Sequence, residues 1–319
     1  MGTDDLLRDT LWLAILLLSI AVAHVAFRLA CRGLSLLVPR ATGRLAKVTD
    51  WYLGSRAGAY LERTAPRTVA FVRARLDTKT FVGWPLTAMA LCAAVIAMWM
   101  AEVAEDVVTE PEVQQLDEAI LAAISDVRSE PLLSLFYWIT GLGGNPALVA
   151  AAVVGGVMLW AGRRMPLLYG LTATAVGSQV TLWIGKYAFD RSRPEFLTDA
   201  TAISPSFPSG HTTSAMAIYG FLGYAAAHLV ASGRARVEIA FWTALVVILV
   251  GVSRIYLHVH YPSDVLAGLL LGGLWVLVGV AIAQWRTEVC QRREAARTPS
   301  GAALSAAGSR RSPTYRDSA

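Results

Sequence analysis

Residue types that can perform chemistry are concentrated in three short stretches of this 319-residue chain. The first stretch runs from Lys186 to Pro194, the second from Pro208 to His211, and the third from Ser253 to Asp264. Lysine and arginine bind anions, whereas histidine and aspartate can move protons or support a nucleophile. If the three stretches meet in the fold, they predict a site that holds an anion and attacks it with histidine.

The cations and the start of a predicted helix indicate phosphate as that anion. Lys186, Arg193 and Arg254 lie at the ends of apolar segments, where a low local dielectric strengthens their hold on an anion. The planar guanidinium group of arginine also presents several N–H donors in a geometry that suits phosphate oxygens. Ser209 and Gly210 precede a predicted helix whose free N–H groups and dipole attract phosphate, and Gly210 lets the anion approach the backbone closely.

The histidines predict the reaction. His260 lies four residues before Asp264, which can fix its tautomer and stabilise its imidazolium form, so His260 is the candidate nucleophile. His211 begins the neighbouring helix and can protonate the departing oxygen. The predicted cycle passes through phosphohistidine on His260, after which water activated by His211 releases inorganic phosphate. Three cations already neutralise the developing charge, so neither a metal nor another cofactor is expected.

The histidines also have other possible roles. His258, His260 and Asp264 could be metal ligands, but no further Cys, His or carboxylate has suitable spacing. The cysteines are scattered and predict neither a disulfide framework nor a metal site: Cys31, Cys92 and Cys290. His258 is expected at the rim of the pocket, and His24 and His228 are expected to cap helices or lie on the surface.

The amino-acid composition indicates the kind of protein that carries this site. Hydrophobic residues make up 55% of the chain and charged residues 16%, against about 25% charged residues in soluble domains. Long apolar runs with few charges predict membrane-spanning helices. The predicted fold class is therefore an all-α, multi-pass transmembrane helical bundle. Its expected partner is the lipid bilayer, and nucleic acid is not expected. Seven spans are predicted, at 10–31, 81–103, 146–162, 166–186, 211–231, 237–254 and 264–285.

The distribution of basic residues predicts the orientation. Short loops rich in Lys and Arg remain in the cytoplasm, and residues 32–79, two arginine pairs and the C-terminal tail would all lie on one side. This places the C-terminus in the cytoplasm and the three stretches on the outer face of a bacterial inner membrane. Six basic residues are exceptions, among them Arg8 and Arg128. The other four cluster beside His211, His258 and His260, as an anionic ligand would require: Lys186, Arg191, Arg193 and Arg254.

Three segments complete the domain organisation. Residues 1–80 hold an N-terminal transmembrane helix and a basic cytoplasmic segment, 81–285 form the catalytic membrane domain, and 286–319 form a disordered cytoplasmic tail. The acidic stretch 104–131 has apolar residues at helical spacing, which predicts a helix on the bilayer surface or one packed on the protein core. Gly268 and Gly272 are assigned to helix packing.

These residues resemble the type-2 phosphatidic acid phosphatase superfamily, which includes undecaprenyl pyrophosphate phosphatases and vanadium-dependent haloperoxidases. Its signature is Lys-x6-Arg-Pro, Pro-Ser-Gly-His and Ser-Arg-x5-His-x3-Asp, and every specified position matches: Lys186, Arg193, Pro194, Pro208, Ser209, Gly210, His211, Ser253, Arg254, His260 and Asp264. The resemblance implies a six-helix phosphatase core plus one extra N-terminal helix. It implies His260, His211 and Asp264 as catalytic residues, with Lys186, Arg193, Ser209, Gly210 and Arg254 binding phosphate.

The expected function is hydrolysis of a lipid phosphate monoester or pyrophosphate at the membrane surface. Undecaprenyl pyrophosphate is the first candidate substrate, followed by phosphatidylglycerol phosphate and phosphatidic acid. A phosphotransferase that passes the same phosphohistidine to another acceptor is an alternative. A membrane scaffold or transporter without activity is another, although an intact signature argues against it. The membrane spans argue against a haloperoxidase.

Overall fold

The computed structural model describes residues 3–77, 80–194 and 204–297, and within these ranges all regular secondary structure is α-helical. This confirms the all-α prediction. The helices are α1 (Thr3–Leu53), α2 (Arg56–Thr64), α3 (Pro66–Leu76), α4 (Trp84–Thr109), α5 (Pro111–Ser125), α6 (Glu130–Leu142), α7 (Asn145–Ala161), α8 (Met165–Phe189), α9 (Gly210–Leu229), α10 (Gly233–Tyr256) and α11 (Pro262–Arg297).

Five helical segments are long and apolar enough to cross a membrane: Leu17–Tyr52, Trp84–Thr109, Met165–Phe189, Gly233–Tyr256 and Pro262–Glu294. Helices α6 and α7, bent by 40° where they join, add a sixth span if they cross together. The multi-pass prediction is thereby confirmed. Helix α9 coincides with the predicted span 211–231 but is not among these segments, because its first turns contain His, Thr and Ser.

Helix α9 lies at the centre of the bundle, with α8, α10 and α11 packed around it. The close approach of α11 to α9 depends on Gly268 and Gly272, the two glycines that were predicted to pack helices together. A Cβ atom on Gly268 would lie 2.9 Å from the carbonyl oxygen of Ser209, and one on Gly272 would lie 2.7 Å from that of Thr213. Small residues allow helix backbones to approach closely. Helix α11 therefore presses directly on the first turn of α9, where the predicted phosphate site begins.

Helix α5 packs on the protein core, which is one of the two possibilities for the acidic stretch. Asp117 and Leu121 are buried, and Ile124 packs against the apolar cluster that contains Tyr256 and Val259. The opposite side of the helix carries exposed apolar side chains such as Leu116. Helix α5 therefore covers the loop between α10 and α11 with one face.

The N-terminal region is more helical than predicted, since α1 continues to Leu53, far beyond the predicted end of its span at 31. Helix α1 contacts α10 through His24, whose Nε2 atom lies 2.9 Å from Glu238 Oε2 and whose ring centroid lies 4.5 Å from that of Phe241. The prediction that His24 is a capping or surface residue was wrong, because it packs between two helices. His228 is exposed and stacks on Tyr224, as a surface residue would.

The C-terminal segment also departs from prediction at its start. Helix α11 continues to Arg297, so residues 286–297 are helical where a disordered tail was expected. A salt bridge between Glu288 and Arg292, one helical turn apart at 2.6 Å, stabilises this extension. Residues 298–319 lie outside the described part of the chain.

Candidate active site

The three chemistry-bearing stretches meet at one end of the bundle. Helix α8 ends there, α9 begins there, and α10 connects to α11 there. Arg193 Nη1 lies 3.2 Å from His260 Nε2, and the backbone N–H of Ser209 donates to the carbonyl oxygen of Asp264 at 3.0 Å. The His211 imidazole interacts electrostatically with the side chains of Arg254, His260, Arg193 and Lys186. The structure thus brings all the predicted site residues into one cluster.

His260 and Asp264 form a buried pair. His260 Nδ1 lies 3.2 Å from Asp264 Oδ2, and both side chains are almost fully buried. The same carboxylate oxygen accepts a hydrogen bond from the Tyr261 N–H at 3.0 Å. Because an arginine can only donate, its contact with His260 Nε2 makes that nitrogen the acceptor and places the ring proton on Nδ1, facing Asp264. This tautomer leaves the Nε2 lone pair directed into the site.

Burial lowers the pKa of His260 to about 4, although its hydrogen bond to Asp264 and the charge of that carboxylate oppose the shift, while Arg193 and Arg254 add to it. The imidazole is therefore neutral at physiological pH, which is the form whose Nε2 atom keeps an unprotonated lone pair. A neutral histidine with a buried carboxylate behind it is poised to become cationic only when it bonds to an electrophile.

Arg193 is held rigidly at the edge of the cluster. Its Nε donates to the carbonyl oxygen of Ser204 at 2.9 Å, and its Nη1 donates to that of Val259 at 2.8 Å. Burial lowers the pKa of Arg193, and the charge of Asp264 opposes this shift. Lys186 donates to the carbonyl oxygen of Pro205. The segment that precedes α9 therefore fixes two of the predicted phosphate-binding cations.

Arg254 has donor capacity that the described residues do not use. Its side chain is buried, and Nη1 donates to Thr140 Oγ1 of α6 at 2.7 Å. Its Nε atom is also buried, yet among the described residues it has no hydrogen-bond partner. A buried unpaired donor is costly, so an anion at this position would satisfy it.

The N-terminus of α9 completes the anion-binding surface. Ser209 is fully buried at the N-cap position, and the first intrahelical bond runs from the Thr213 N–H to its carbonyl oxygen at 2.9 Å. The preceding N–H groups of the helix are thus left for a ligand. A Cβ atom on Gly210 would lie 3.8 Å from Lys186 Cε, so this end of the helix faces the lysine. His211 packs against Gly143, in the turn between α6 and α7.

Sequence reasoning missed an ionic network behind Asp264. Arg191 Nη1 donates to Asp264 Oδ1 at 2.8 Å, and its Nη2 donates to Asp117 Oδ2 of α5 at 2.9 Å. Asp117 also accepts hydrogen bonds from the N–H and hydroxyl of Ser263. Burial lowers the pKa of Arg191, but the charges and hydrogen bonds of both carboxylates outweigh it and raise the pKa above its ordinary value. Arg191 was noticed only as a misplaced cation, and nothing distinguished Asp117 from its acidic neighbours.

His258 does not lie at the pocket rim, so that prediction was wrong. Its side chain is buried, and Nε2 lies 3.0 Å from Ser125 Oγ and 3.1 Å from the carbonyl oxygen of Leu121, both on α5. Its backbone has a φ of 54°, in the left-handed region. His258 therefore turns the chain after α10 and directs its imidazole towards α5, away from the neighbouring His260.

The donor set of the cluster suits an anion. Across the described ranges, no three His, Cys, Asp or Glu side chains are grouped so that they could hold a metal ion. The groups that face the site are cations, a helix N-terminus and two histidines. Such a cluster at one end of a membrane bundle is typical of an integral membrane enzyme that acts on phosphate groups.

Comparison with known proteins identifies the family. The chain is 33% identical to phosphatidylglycerophosphatase B of Bacillus subtilis over 167 residues, which are 50% of this chain and 79% of that protein. A family model described as the PAP2 superfamily matches residues 163–288. The chain therefore belongs to the PAP2 superfamily, which confirms the resemblance found in its motifs.

Two further relatives agree with this assignment. Lipid A 1-phosphatase of Rhizobium etli is 28% identical over 170 residues, covering 44% of this chain and 66% of that protein. The crystal structure of a transmembrane PAP2-type phosphatidylglycerolphosphate phosphatase from Bacillus subtilis superposes with a TM-score of 0.54 and 27% identity, over 59% of this chain and 94% of that one. Both are described as phosphatases of lipid phosphates.

Proposed function

We propose that the protein hydrolyses a membrane lipid phosphate through a phosphohistidine intermediate on His260. The observation that carries this proposal is the orientation of His260, with Nδ1 facing Asp264 at 3.2 Å and Nε2 facing the cationic cluster at Arg193. In the first step Nε2 bonds to phosphorus as the bond to the lipid oxygen breaks. His211, which is protonated when the bound phosphate offsets the neighbouring cations that disfavour its charged form, gives its proton to that oxygen. The positive charge that forms on His260 is stabilised by Asp264.

The second step reverses these roles. Neutral His211 removes a proton from water, the hydroxide attacks phosphorus, and the P–N bond breaks to return neutral His260 and release inorganic phosphate. Lys186, Arg193, Arg254 and the α9 N-terminus surround the negative oxygens throughout. Fixed cations and N–H donors can supply the charge stabilisation that a metal ion supplies elsewhere, so we propose that turnover is metal-independent.

The relatives now favour a particular substrate. The names of phosphatidylglycerophosphatase B and of the structural relative concern phosphatidylglycerol phosphate, so we place this lipid ahead of undecaprenyl pyrophosphate, which the sequence favoured. Phosphatidic acid is the third candidate. The arginine distribution supports an active site on the outer face of a bacterial inner membrane and a cytoplasmic C-terminus.

The test is release of inorganic phosphate by the full-length protein in detergent, from each of the three lipids and in the presence of EDTA. We expect phosphatidylglycerol phosphate to react fastest and the His260→Ala variant to be inactive. The matched control is His228→Ala, which removes an exposed histidine at the other end of α9 and should leave turnover unchanged.

Each contrary result has a distinct meaning. Wild-type turnover in His260→Ala would disprove the nucleophile assignment, and loss of turnover in EDTA would disprove metal independence. Release that depends on an added acceptor would indicate the phosphotransferase. No release from any lipid or acceptor would favour the inactive scaffold.

A further inference from the structure

A crevice between α1 and α10 lies at the opposite end of the bundle from His211 and His260. It has a volume of about 250 Å³, and three arginines line it: Arg28 and Arg32 from α1, and Arg234 from α10. Gly233 begins α10 and Arg254 lies in its last turn, which at 1.5 Å per residue separates the crevice from the active site by roughly 30 Å along the helix axis. The crevice therefore lies at the other membrane surface.

The charges in the crevice are not balanced by nearby carboxylates. Glu238, on α10, is shared by His24 at 2.9 Å and Arg28 at 3.7 Å. Within the described part of the chain, the guanidinium groups of Arg32 and Arg234 have neither an ion pair nor a hydrogen bond. Both residues are exposed, so water screens part of their repulsion, but two cations that line one crevice from different helices still favour an anion between them.

The start of α10 adds to this positive potential. Ser232 caps the helix through a 3.4 Å hydrogen bond from the Ala235 N–H, and Gly233 lines the crevice. The positive end of the dipole of this 24-residue helix is thus directed towards the two arginines. Membrane orientation alone requires basic residues on this side but not a crevice shared by two helices. Arg40 and Arg44, farther along α1, are exposed and lie outside the crevice.

We propose that this crevice binds the phosphate headgroup of an anionic membrane lipid and that the lipid joins α1 to the PAP2 core. A lipid fits better than free phosphate because Leu29 and Leu34, which flank the arginines on α1, present exposed apolar side chains against which acyl chains can pack. Basic pockets between membrane helices are recognised sites for anionic headgroups. The proposal gives the N-terminal region a role and does not depend on which lipid is hydrolysed.

The test measures phosphatidylglycerol binding to the detergent-solubilised full-length protein by native mass spectrometry, with phosphatidylcholine as the neutral lipid. We expect the apparent Kd of the most tightly bound phosphatidylglycerol molecule to rise roughly tenfold in the Arg32→Gln/Arg234→Gln variant. The control Arg40→Gln/Arg44→Gln removes the same charge and should change it by less than about twofold. All forms keep the catalytic site, so lipid bound there contributes equally. Size-exclusion profiles establish that each variant is folded.

A second double variant keeps the test decisive if the neutral double variant aggregates. Arg32→Lys/Arg234→Lys retains the charge, so its phosphatidylglycerol Kd should stay closer to wild type than that of any neutral replacement. Equal binding by wild type and Arg32→Gln/Arg234→Gln would overturn the proposal, as would an equal loss in the Arg40/Arg44 control. Inorganic phosphate that displaced the lipid at similar concentration would overturn it in favour of a soluble anion.

Discussion

Arg191 donates a 2.8 Å hydrogen bond to the Oδ1 atom of Asp264, the carboxylate whose Oδ2 atom faces His260 Nδ1. Asp264 is thus held from both sides, by the proposed nucleophile and by an arginine outside the signature motif. Arg191 also stacks over the Tyr261 ring, with its guanidinium carbon 4.3 Å from the ring centroid. Because Arg191 does not face the phosphate site through these contacts, we regard it as a positioning residue.

Replacement of Arg191 should impair the chemical step more than binding. We expect Arg191→Gln to lower kcat by about 10–100-fold while KM changes little, because Asp264 can then rotate and misplace His260. Arg191→Lys should recover part of the loss, since a lysine can still contact one carboxylate. Steady-state kinetics with the preferred lipid measure both parameters. The control for loss of a cation is Arg128→Gln, in the turn between α5 and α6 at the same end of the bundle. A change in KM alone would contradict the positioning role.

Asp117 should matter for stability. It is the buried partner of Arg191 and Ser263, and removal of one member of a buried ionic network costs about 3–5 kcal/mol. We therefore expect Asp117→Ala to lower the melting temperature of the detergent-solubilised protein substantially. Glu118→Ala, at the exposed neighbouring position whose partner is Gln114, should change stability by less than about 0.5 kcal/mol. Equal melting temperatures for the two variants would refute a structural role for the network.

The low pKa of His260 predicts that activity is lost only at strongly acidic pH. Protonation removes the Nε2 lone pair, so nucleophilic attack is lost as the pH falls through the pKa of His260, which is about 4 rather than 6.5. The measurement is kcat/KM for an aryl phosphate, whose leaving group needs no proton from His211, corrected for ionisation of the substrate. A limb with its midpoint near 6.5 would show that His260 is not held neutral by burial. Circular dichroism should confirm that the helices persist at the lowest pH.

Arg254 should not tolerate lysine, because its Nη1 contacts Thr140 while its Nε remains as a second donor for phosphate. An ammonium group cannot make both interactions at fixed geometry. We expect Arg254→Lys to lower kcat/KM by roughly 10–100-fold and Arg128→Lys to leave it unchanged. Near-normal kcat/KM in Arg254→Lys would mean that only the charge of this residue is needed.

The contact between α11 and the first turn of α9 can be tested with one methyl group. Gly268→Ala would place a Cβ atom 2.9 Å from the Ser209 carbonyl oxygen, which should destabilise the protein by about 1–3 kcal/mol and shift the α9 N-terminus. We expect a lower melting temperature together with a higher KM. The control is Gly273→Ala on the same helix, whose Cβ would meet only Met216 Cε at 3.6 Å. Similar KM values for both variants would argue that α11 does not position the phosphate site.

Much of the fold and site could be predicted from the sequence because the relevant signals are local. Apolar runs predicted the spanning helices, and the fixed spacing of motifs such as Pro208 to His211 predicted which residues would share a site. Helix ends were less predictable: α1 and α11 continue well beyond their apolar segments. Hydropathy indicates which part of a helix lies in the hydrocarbon layer. The end of the helix itself depends on backbone hydrogen bonds and on salt bridges such as that between Glu288 and Arg292.

The remaining features depend on residues that are far apart in the sequence. Arg191 meets Asp117 across 74 positions, and Ser263 meets the same carboxylate across 146. No local pattern distinguishes Asp117 from an exposed glutamate, or buried His258 from a residue at the pocket rim. The sequence alone determined the membrane character and the helical class, and it supplied the candidate catalytic residues. Tertiary structure decided which charges are paired, because ion pairing depends on helix packing that brings α5 against the loop between α10 and α11.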